Sequence, residues 1–368
     1  MSPGAPPDPR GRRRADQTER AARRERRERA LRRRRALVAT LLAITVAAVA
    51  LVVARSGVVA KGTRGHAARA SHTHTHTHTR SSSRAFAVGI RMLDLVDRSR
   101  TVQLPTGPAP RALLTYVRYP ASGASTRTDV SDAPAAGAGG PYPLIVFGHG
   151  YAVTPAIYAR LLQAWAAAGY VVAAPVFPLE NADAPGGPNE SDLSNQPGDM
   201  QFVISELLRL SAAPSGPLAG LIDPERIAVA GHSDGGDTAL ALAYDSNFRD
   251  TRVKAAVILS GAELPGVAGF SFAPGEPPLL ATQGTADIVN KPSETNMFFE
   301  AASSPKYRLD LLGAGHLPPY SHQEPQLGVV ERVTIAFLDT YIKGRTQVLA
   351  ALRADGNVRG VSRIVADP

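Results

Sequence analysis

The apolar positions of this chain change spacing several times, and each change marks a boundary. Ala36 to Ala54 read ALVATLLAITVAAVALVVA, 19 residues with no charge and no polar face. At 1.5 Å rise per residue such a helix is about 28 Å long, close to the roughly 30 Å hydrocarbon core of a bilayer. Surface helices of soluble proteins keep one polar face, so a transmembrane helix is expected here. From Phe86 the pattern is that of a folded domain. Residues 87–97 and 111–119 read as two strands joined by a Pro/Gly-containing loop. The continuous apolar runs at 142–147 and 170–176 read as short strands buried on both faces. Helical spacing occupies 157–168, closed by Gly169, and then 199–210, 234–244, 293–302 and 329–342. Between these helices, strands are expected at 226–230, 253–259, 279–282 and 308–312. Strands alternating with helices imply βαβ units and a mostly parallel central sheet flanked by helices. The first two strands have no helix between them and are expected to form an antiparallel edge. No insertion is long enough for a large cap domain, although the Pro/Gly-rich loops 178–196 and 260–277 are placed to shape a pocket.

Charge changes the picture of the N-terminus. The 368 residues carry a net charge of +9. Residues 1–35 hold 14 Arg against 5 Asp/Glu, which leaves 27 basic and 27 acidic residues in the remainder. All the excess therefore sits in a short tail, and a basic nucleic-acid-binding face on the main domain is not supported. The Arg cluster ends at Arg35, directly before the apolar stretch. The positive-inside rule puts such a tail in the cytoplasm and everything after Arg55 outside. The apolar run is longer than the core of a signal peptide and its basic flank is long, so an uncleaved signal anchor is expected. A signal peptide cleaved after Val58-Val59-Ala60, with secretion, is the alternative.

Residues 55–84 are Gly, Ala, Ser, Thr and Arg without periodicity and read as a flexible linker, on the order of 30 Å in reach. Within it His72, His74, His76 and His78 alternate with Thr. That tract is read as a low-complexity spacer, with weak binding of a transition metal as the alternative. The domain plan is thus a basic tail (1–35), an anchor (36–54), a linker (55–84) and one catalytic domain (85–368). The absence of cysteine excludes disulfides, thiolate metal sites and a Cys nucleophile. Nothing in the sequence fixes an oligomeric state.

The sharpest motif is Gly231-His232-Ser233-Asp234-Gly235, followed by Gly236. It has the form G-x-S-x-G between a buried strand and an alanine-rich helix, the setting of a nucleophile elbow. Glycine is needed two residues either side of the serine because so tight a turn leaves no room for side chains. A serine nucleophile needs a base and an orienting acid. The domain has four histidines, His149, His232, His316 and His322. His316, in Gly313-Ala314-Gly315-His316 at a strand's carboxyl end, is the expected base. His322 is the weaker candidate, and His232, next to the serine, is expected to turn away from its hydroxyl. The expected acid is Asp287, just past the strand at 279–282 and Gly284, with Glu263 as runner-up and Asp310 as a structural strand residue. An oxyanion hole needs two N–H donors. The backbone of Asp234 and that of Tyr151, in Gly148-His149-Gly150-Tyr151, are the candidates.

These pieces together resemble the α/β-hydrolases, in particular the group that contains dienelactone hydrolases, chlorophyllases, platelet-activating-factor acetylhydrolases and bacterial polyester hydrolases. The resemblance spans about residues 86–345. It rests on Phe147 to Tyr151, Gly169-Tyr170-Val171-Val172, Gly231 to Gly236, Gly284-Thr285-Ala286-Asp287 and Gly315-His316. It implies an α/β-hydrolase fold and ester hydrolysis through Ser233, His316 and Asp287, without a metal or other cofactor. Three departures stand out. Dienelactone hydrolases use a Cys nucleophile. Polyester hydrolases carry a hydrophobic residue where Asp234 stands, and an aromatic clamp. Here the single tryptophan, Trp165, lies on a helix away from the site. The expectation is a membrane-anchored, extracytoplasmic serine esterase acting on a small-molecule or lipid ester. Acyl transfer to an envelope lipid or glycan, or a non-catalytic binding module on the same fold, are the alternatives.

Overall fold

The computed structural model describes residues 85–368 except Thr126 and Ala138. The expected tail, anchor and linker lie outside the described residues. Among the described residues no helix is long and apolar enough to cross a membrane.

The described residues build a ten-stranded sheet in the order β10-β9-β8-β7-β6-β4-β5-β2-β1-β3. Its centre is parallel: β4 (Tyr142–Gly148), β5 (Val171–Pro175), β6 (Ile222–His232), β7 (Val253–Leu259), β8 (Leu279–Gly284) and β9 (Lys306–Leu311). Every residue of β4, β5 and β8 is buried, as expected for strands covered on both faces. The covering helices are α1 (Ala159–Ala167), α2 (Gln196–Ala212), α3 (Asp234–Tyr244), α4 (Pro292–Ala301), the short α5 (Pro318–Ser321), α6 (Gln326–Tyr341) and α7 (Leu349–Gly356). No residue of α3 reaches the surface. Its run of Ala and Leu suits a helix enclosed on all sides.

β1 (Ala87–Leu104) and β2 (Gly107–Ala121) form the antiparallel arm, and two residues of β3 (Val130–Ser131) add to its outer edge. Both strands run further than the apolar alternation indicated. The polar stretch Asp97 to Arg100 stays in the strand because Asp97 accepts hydrogen bonds from the Ser99 backbone, the Ser99 hydroxyl and Arg100. These bonds sit at the register shift between Asp97 and Thr101. At the opposite edge, β10 (Ser362–Asp367) pairs antiparallel with β9. Neither β10 nor α7 was signalled by an apolar period. β10 is held by its ladder, by Arg363 on Asp310 at 2.9 Å, and by Ile364 against Gly356.

The registers place several strand ends on one rim. Gly148 pairs with Gly231, His232 with Leu259, and Gly284 with Leu311. The loops after β4, β6, β7, β8 and β9 therefore leave the sheet side by side, at its carboxyl edge, where open α/β sheets bind ligands.

Candidate active site

β6 becomes α3 across one residue. Ser233 has φ 55° and ψ −127°, a strained conformation for a side chain that is not glycine. The strain, of the order of 1–3 kcal/mol, is held in place from both sides. The Ser233 N–H donates to the Leu259 carbonyl at 3.0 Å, and its own carbonyl accepts from Asp237 N–H at 2.9 Å. The glycines are required by close backbone approach: a Cβ on Gly231 would run into the Gly235 carbonyl, and one on Gly235 into Gly148 and the His149 carbonyl. Ser233 is the N-cap of α3, so the helix dipole favours negative charge at this point.

β8 and β9 bring the expected acid and the expected base together. Their following loops are stitched by Thr285 N–H to Leu311 O at 3.0 Å, Ala286 N–H to Ala314 O at 2.9 Å and Gly313 N–H to Thr285 Oγ1 at 2.8 Å. His316 Nδ1 then donates to Asp287 Oδ2 at 2.7 Å. Because a carboxylate only accepts, the neutral ring carries its proton on Nδ1 and leaves Nε2 with a bare lone pair. Asp287 is itself fixed. Its Oδ1 accepts from Val289 N–H at 2.9 Å and Asn290 N–H at 3.1 Å, and Gln283 Nε2 donates to Oδ2 at 3.3 Å. Gln283 is oriented in turn by Thr295, and Asn290 donates to the Ser260 carbonyl.

The His316 loop reaches the elbow through His232. His232 Nε2 donates to the His316 carbonyl at 3.0 Å, and the two rings lie 4.6 Å apart. Tyr320, just beyond His316, packs on the His232 ring and bonds Ser260 at 2.9 Å and Thr282 at 3.1 Å. This ties the His316 loop to the ends of β7 and β8.

The loop after β4 completes the arrangement. A Cβ on Gly150 would lie 3.1 Å from Ser233 Cβ, so this backbone passes directly against the serine. His149 is buried, with Nδ1 donating to the Gly150 carbonyl at 2.8 Å and Nε2 accepting from Phe177 N–H at 3.0 Å. Burial holds its pKa down at about 4. Ala152, at φ 55°, donates its N–H to the Glu180 carbonyl at 2.7 Å, and Tyr151 OH donates to the Pro188 carbonyl at 3.0 Å. Tyr151 and Asp234, the two expected donors, thus stand on the segments that flank Ser233.

The surroundings are acidic. Asp234 is 1% exposed and Glu180 is fully buried. Burial, with the Asp234 carboxyl second, pushes the Glu180 carboxyl well above its ordinary range. Beneath the loop after β5, the buried Arg111 of β2 holds two carboxylates bidentately, Asp192 at 2.9 and 2.8 Å and Asp199 at 2.8 and 2.5 Å. Among the described residues no three His, Asp or Glu are grouped to hold a metal ion.

Of the sequence candidates, His316 and Asp287 meet directly. The runner-up His322 instead bonds its neighbour Ser321 at 2.9 Å. Glu263 lies half-buried in the loop after β7, and Asp310 pairs with Arg308 and Arg363 within the β9 edge. Sequence reasoning missed Glu180, Tyr158, Gln283 and Asn290. Gln283 sits near the end of β8, Glu180 and Asn290 in loops that follow strands, and Tyr158 in the turn before α1, and none of them belongs to a sequence motif.

This fold and rim are those of an α/β-hydrolase. The family model described as Chlorophyllase matches residues 132–285, which hold the elbow and reach Thr285, two residues short of Asp287. Among solved structures, a ferulic acid esterase from Streptomyces cinnamoneus is similar, with 22% sequence identity and a TM-score of 0.53 over 73% of this chain and 93% of that one. No curated protein matches the chain.

Proposed function

We propose that the chain is a carboxylic ester hydrolase working through Ser233, His316 and Asp287. The observation that carries the reading is the His316–Asp287 hydrogen bond, which leaves Nε2 as the basic nitrogen on a loop that His232 ties to the strained serine elbow. Ser233 Oγ attacks the ester carbonyl while His316 Nε2 takes its proton. Asp287 keeps the ring in the right tautomer and stabilises the imidazolium that forms. The Tyr151 and Asp234 N–H groups bind the oxyanion, aided by the α3 dipole. As the tetrahedral intermediate collapses, His316 returns the proton to the departing alkoxide, leaving an acyl-serine. Water, activated by His316, attacks that ester, and the acid and free serine are released. The likenesses to chlorophyllases and to a ferulic acid esterase support an ester substrate.

The N-terminal apolar run and its Arg flank support the further reading that this domain is anchored in a membrane and faces outward. The enzymatic reading is tested by assaying the full chain in detergent on p-nitrophenyl esters from acetate to laurate, with Ser233→Ala alongside. Turnover in the wild type that disappears in the variant supports it, and the chain-length profile sizes the acyl pocket. Labelling by a fluorophosphonate without turnover would point to a narrow substrate or to acyl transfer to another alcohol. Neither labelling nor turnover would leave a binding module.

A further inference from the structure

Tyr158 and His232 have no role in the reaction above, yet both side chains are buried beside the reacting groups. Their hydrogen bonds admit a single direction. The His316 carbonyl, 3.0 Å from His232 Nε2, can only accept, so Nε2 carries the ring proton. His232 Nδ1 then has a bare lone pair and accepts from the Tyr158 hydroxyl at 2.8 Å. The Tyr158 oxygen in turn accepts from Gly150 N–H at 3.3 Å. An unbroken line of donors and acceptors thus runs from Gly150, one residue before the Tyr151 donor, to the backbone of His316. It starts against Ser233, since a Cβ on Gly150 would meet both the Ser233 Cβ and the His232 ring, and it runs through the residue next to that serine.

The ring has no room to tilt out of this line. Tyr158, His316 and Tyr320 surround it with centroids 5.5, 4.6 and 5.0 Å away. A Cβ on Gly150 would stand 3.2 Å from its Nδ1 and 3.3 Å from the Tyr158 oxygen. Protonating the ring would put a second N–H against the tyrosine O–H and force that one bond to reverse. Burial first, and the neighbouring His316 second, keep His232 well below its usual pKa.

We propose that Tyr158 and His232 form a positioning strut that fixes the separation between the oxyanion loop and His316 across the nucleophile. The strut rests on the proposed esterase reading. It touches no substrate and acts only through Gly150 and His316. A catalytic constellation displaced by about 1 Å can lose about 100-fold in rate, so kcat is the quantity the strut protects.

The test uses the full chain with Tyr158→Phe, His232→Leu and the double variant, assayed on p-nitrophenyl butyrate. Tyr158→Phe removes one hydroxyl and both of its bonds. It is expected to lower kcat about 10- to 100-fold with KM within about twofold. Both single changes break the same line, so the double variant should lose no more than the worse single one. Additive losses, an unchanged kcat, or a change in KM alone would overturn the strut. Thermal unfolding checks that each variant folds. If His232→Leu does not fold, ¹⁵N spectra of the wild type and Tyr158→Phe decide the matter. The wild type must show His232 as the neutral Nε2–H tautomer at pH 7, and the Nδ1–H tautomer would overturn the proposal. Fluorophosphonate labelling of the wild type separates the two readings. A labelled wild type with unimpaired Tyr158→Phe sinks the strut alone, whereas an unlabelled, inactive wild type sinks the esterase reading and the strut's catalytic role with it.

Discussion

Replacing Asp287 by Asn should be more damaging than so small a change suggests, and the structure says why. Asp287 Oδ1 accepts two backbone N–H groups, from Val289 and Asn290, at 2.9 and 3.1 Å. An amide NH₂ in that place would face two donors, so the Asn oxygen must take the Oδ1 position. The NH₂ is then forced into the Oδ2 position, 2.7 Å from His316 Nδ1. There it donates, His316 Nδ1 must accept, and the ring proton moves to Nε2. A protonated Nε2 cannot take the serine proton. Loss of the correct tautomer in a serine triad costs about 10⁴-fold in kcat, or about 5.5 kcal/mol of transition-state stabilisation. Asp287→Ala imposes no wrong tautomer, so the geometry predicts that it retains at least as much activity as Asp287→Asn. The assay is initial-rate hydrolysis of p-nitrophenyl acetate at pH 7.5, with thermal unfolding to verify folding. A folded Asp287→Asn protein losing less than about tenfold, or one clearly more active than Asp287→Ala, would refute the reasoning.

Other consequences concern stability. Glu180 is surrounded by Asp234, Glu190 and Asp192, with the Gln196 amide its neutral neighbour. Its raised pKa means that the native state holds a proton the unfolded chain releases, so stability falls as pH rises above the ordinary glutamate range. Glu180→Gln should therefore raise Tm at pH 8 and change it little at pH 4, and a Tm difference independent of pH would contradict this. His149 has the opposite sense. Its folded pKa lies near 4 against 6.5, so about 3 kcal/mol of stability is present above pH 6.5 and disappears as pH falls through that window. The buried His232 adds to this in the same direction. Urea midpoints at pH 7, 5.5 and 4 measure the loss, and a flat midpoint would count against both. Arg111→Met leaves Asp192 and Asp199 buried without their shared cation, although Arg100 still pairs with Asp199. A destabilisation of about 3–5 kcal/mol is expected by chemical denaturation, and a loss below 1 kcal/mol would mean the cluster is hydrated.

Much of this architecture was legible in the chain because its strands are short, apolar and buried on both faces. Val253–Leu259 and Asp234–Tyr244 lie where the pattern placed them, since an uninterrupted apolar run and an alanine-rich stretch leave little choice. Ser233, Asp287 and His316 were singled out because each follows a strand and a glycine at the carboxyl edge, and the structure joins His316 to Asp287. Where sequence spacing failed, the stabilising partner was remote. Asp97 to Arg100 look like a loop but are held in β1 by their own side chains, and β10 exists because β9 offers it an edge. The Arg111 cluster joins residues more than 80 positions apart, and so does the His232–His316 contact. His232 reads only as a motif filler until the fold places Tyr158 on one side of it and His316 on the other.

The most direct test of the central claim is to treat the full chain with a fluorophosphonate probe and locate the adduct by peptide mass spectrometry. The account predicts one adduct, on Ser233, formed at the rate at which esterase activity disappears and absent from Ser233→Ala. An adduct elsewhere that tracks the loss of activity, or esterase activity persisting in Ser233→Ala, would contradict it.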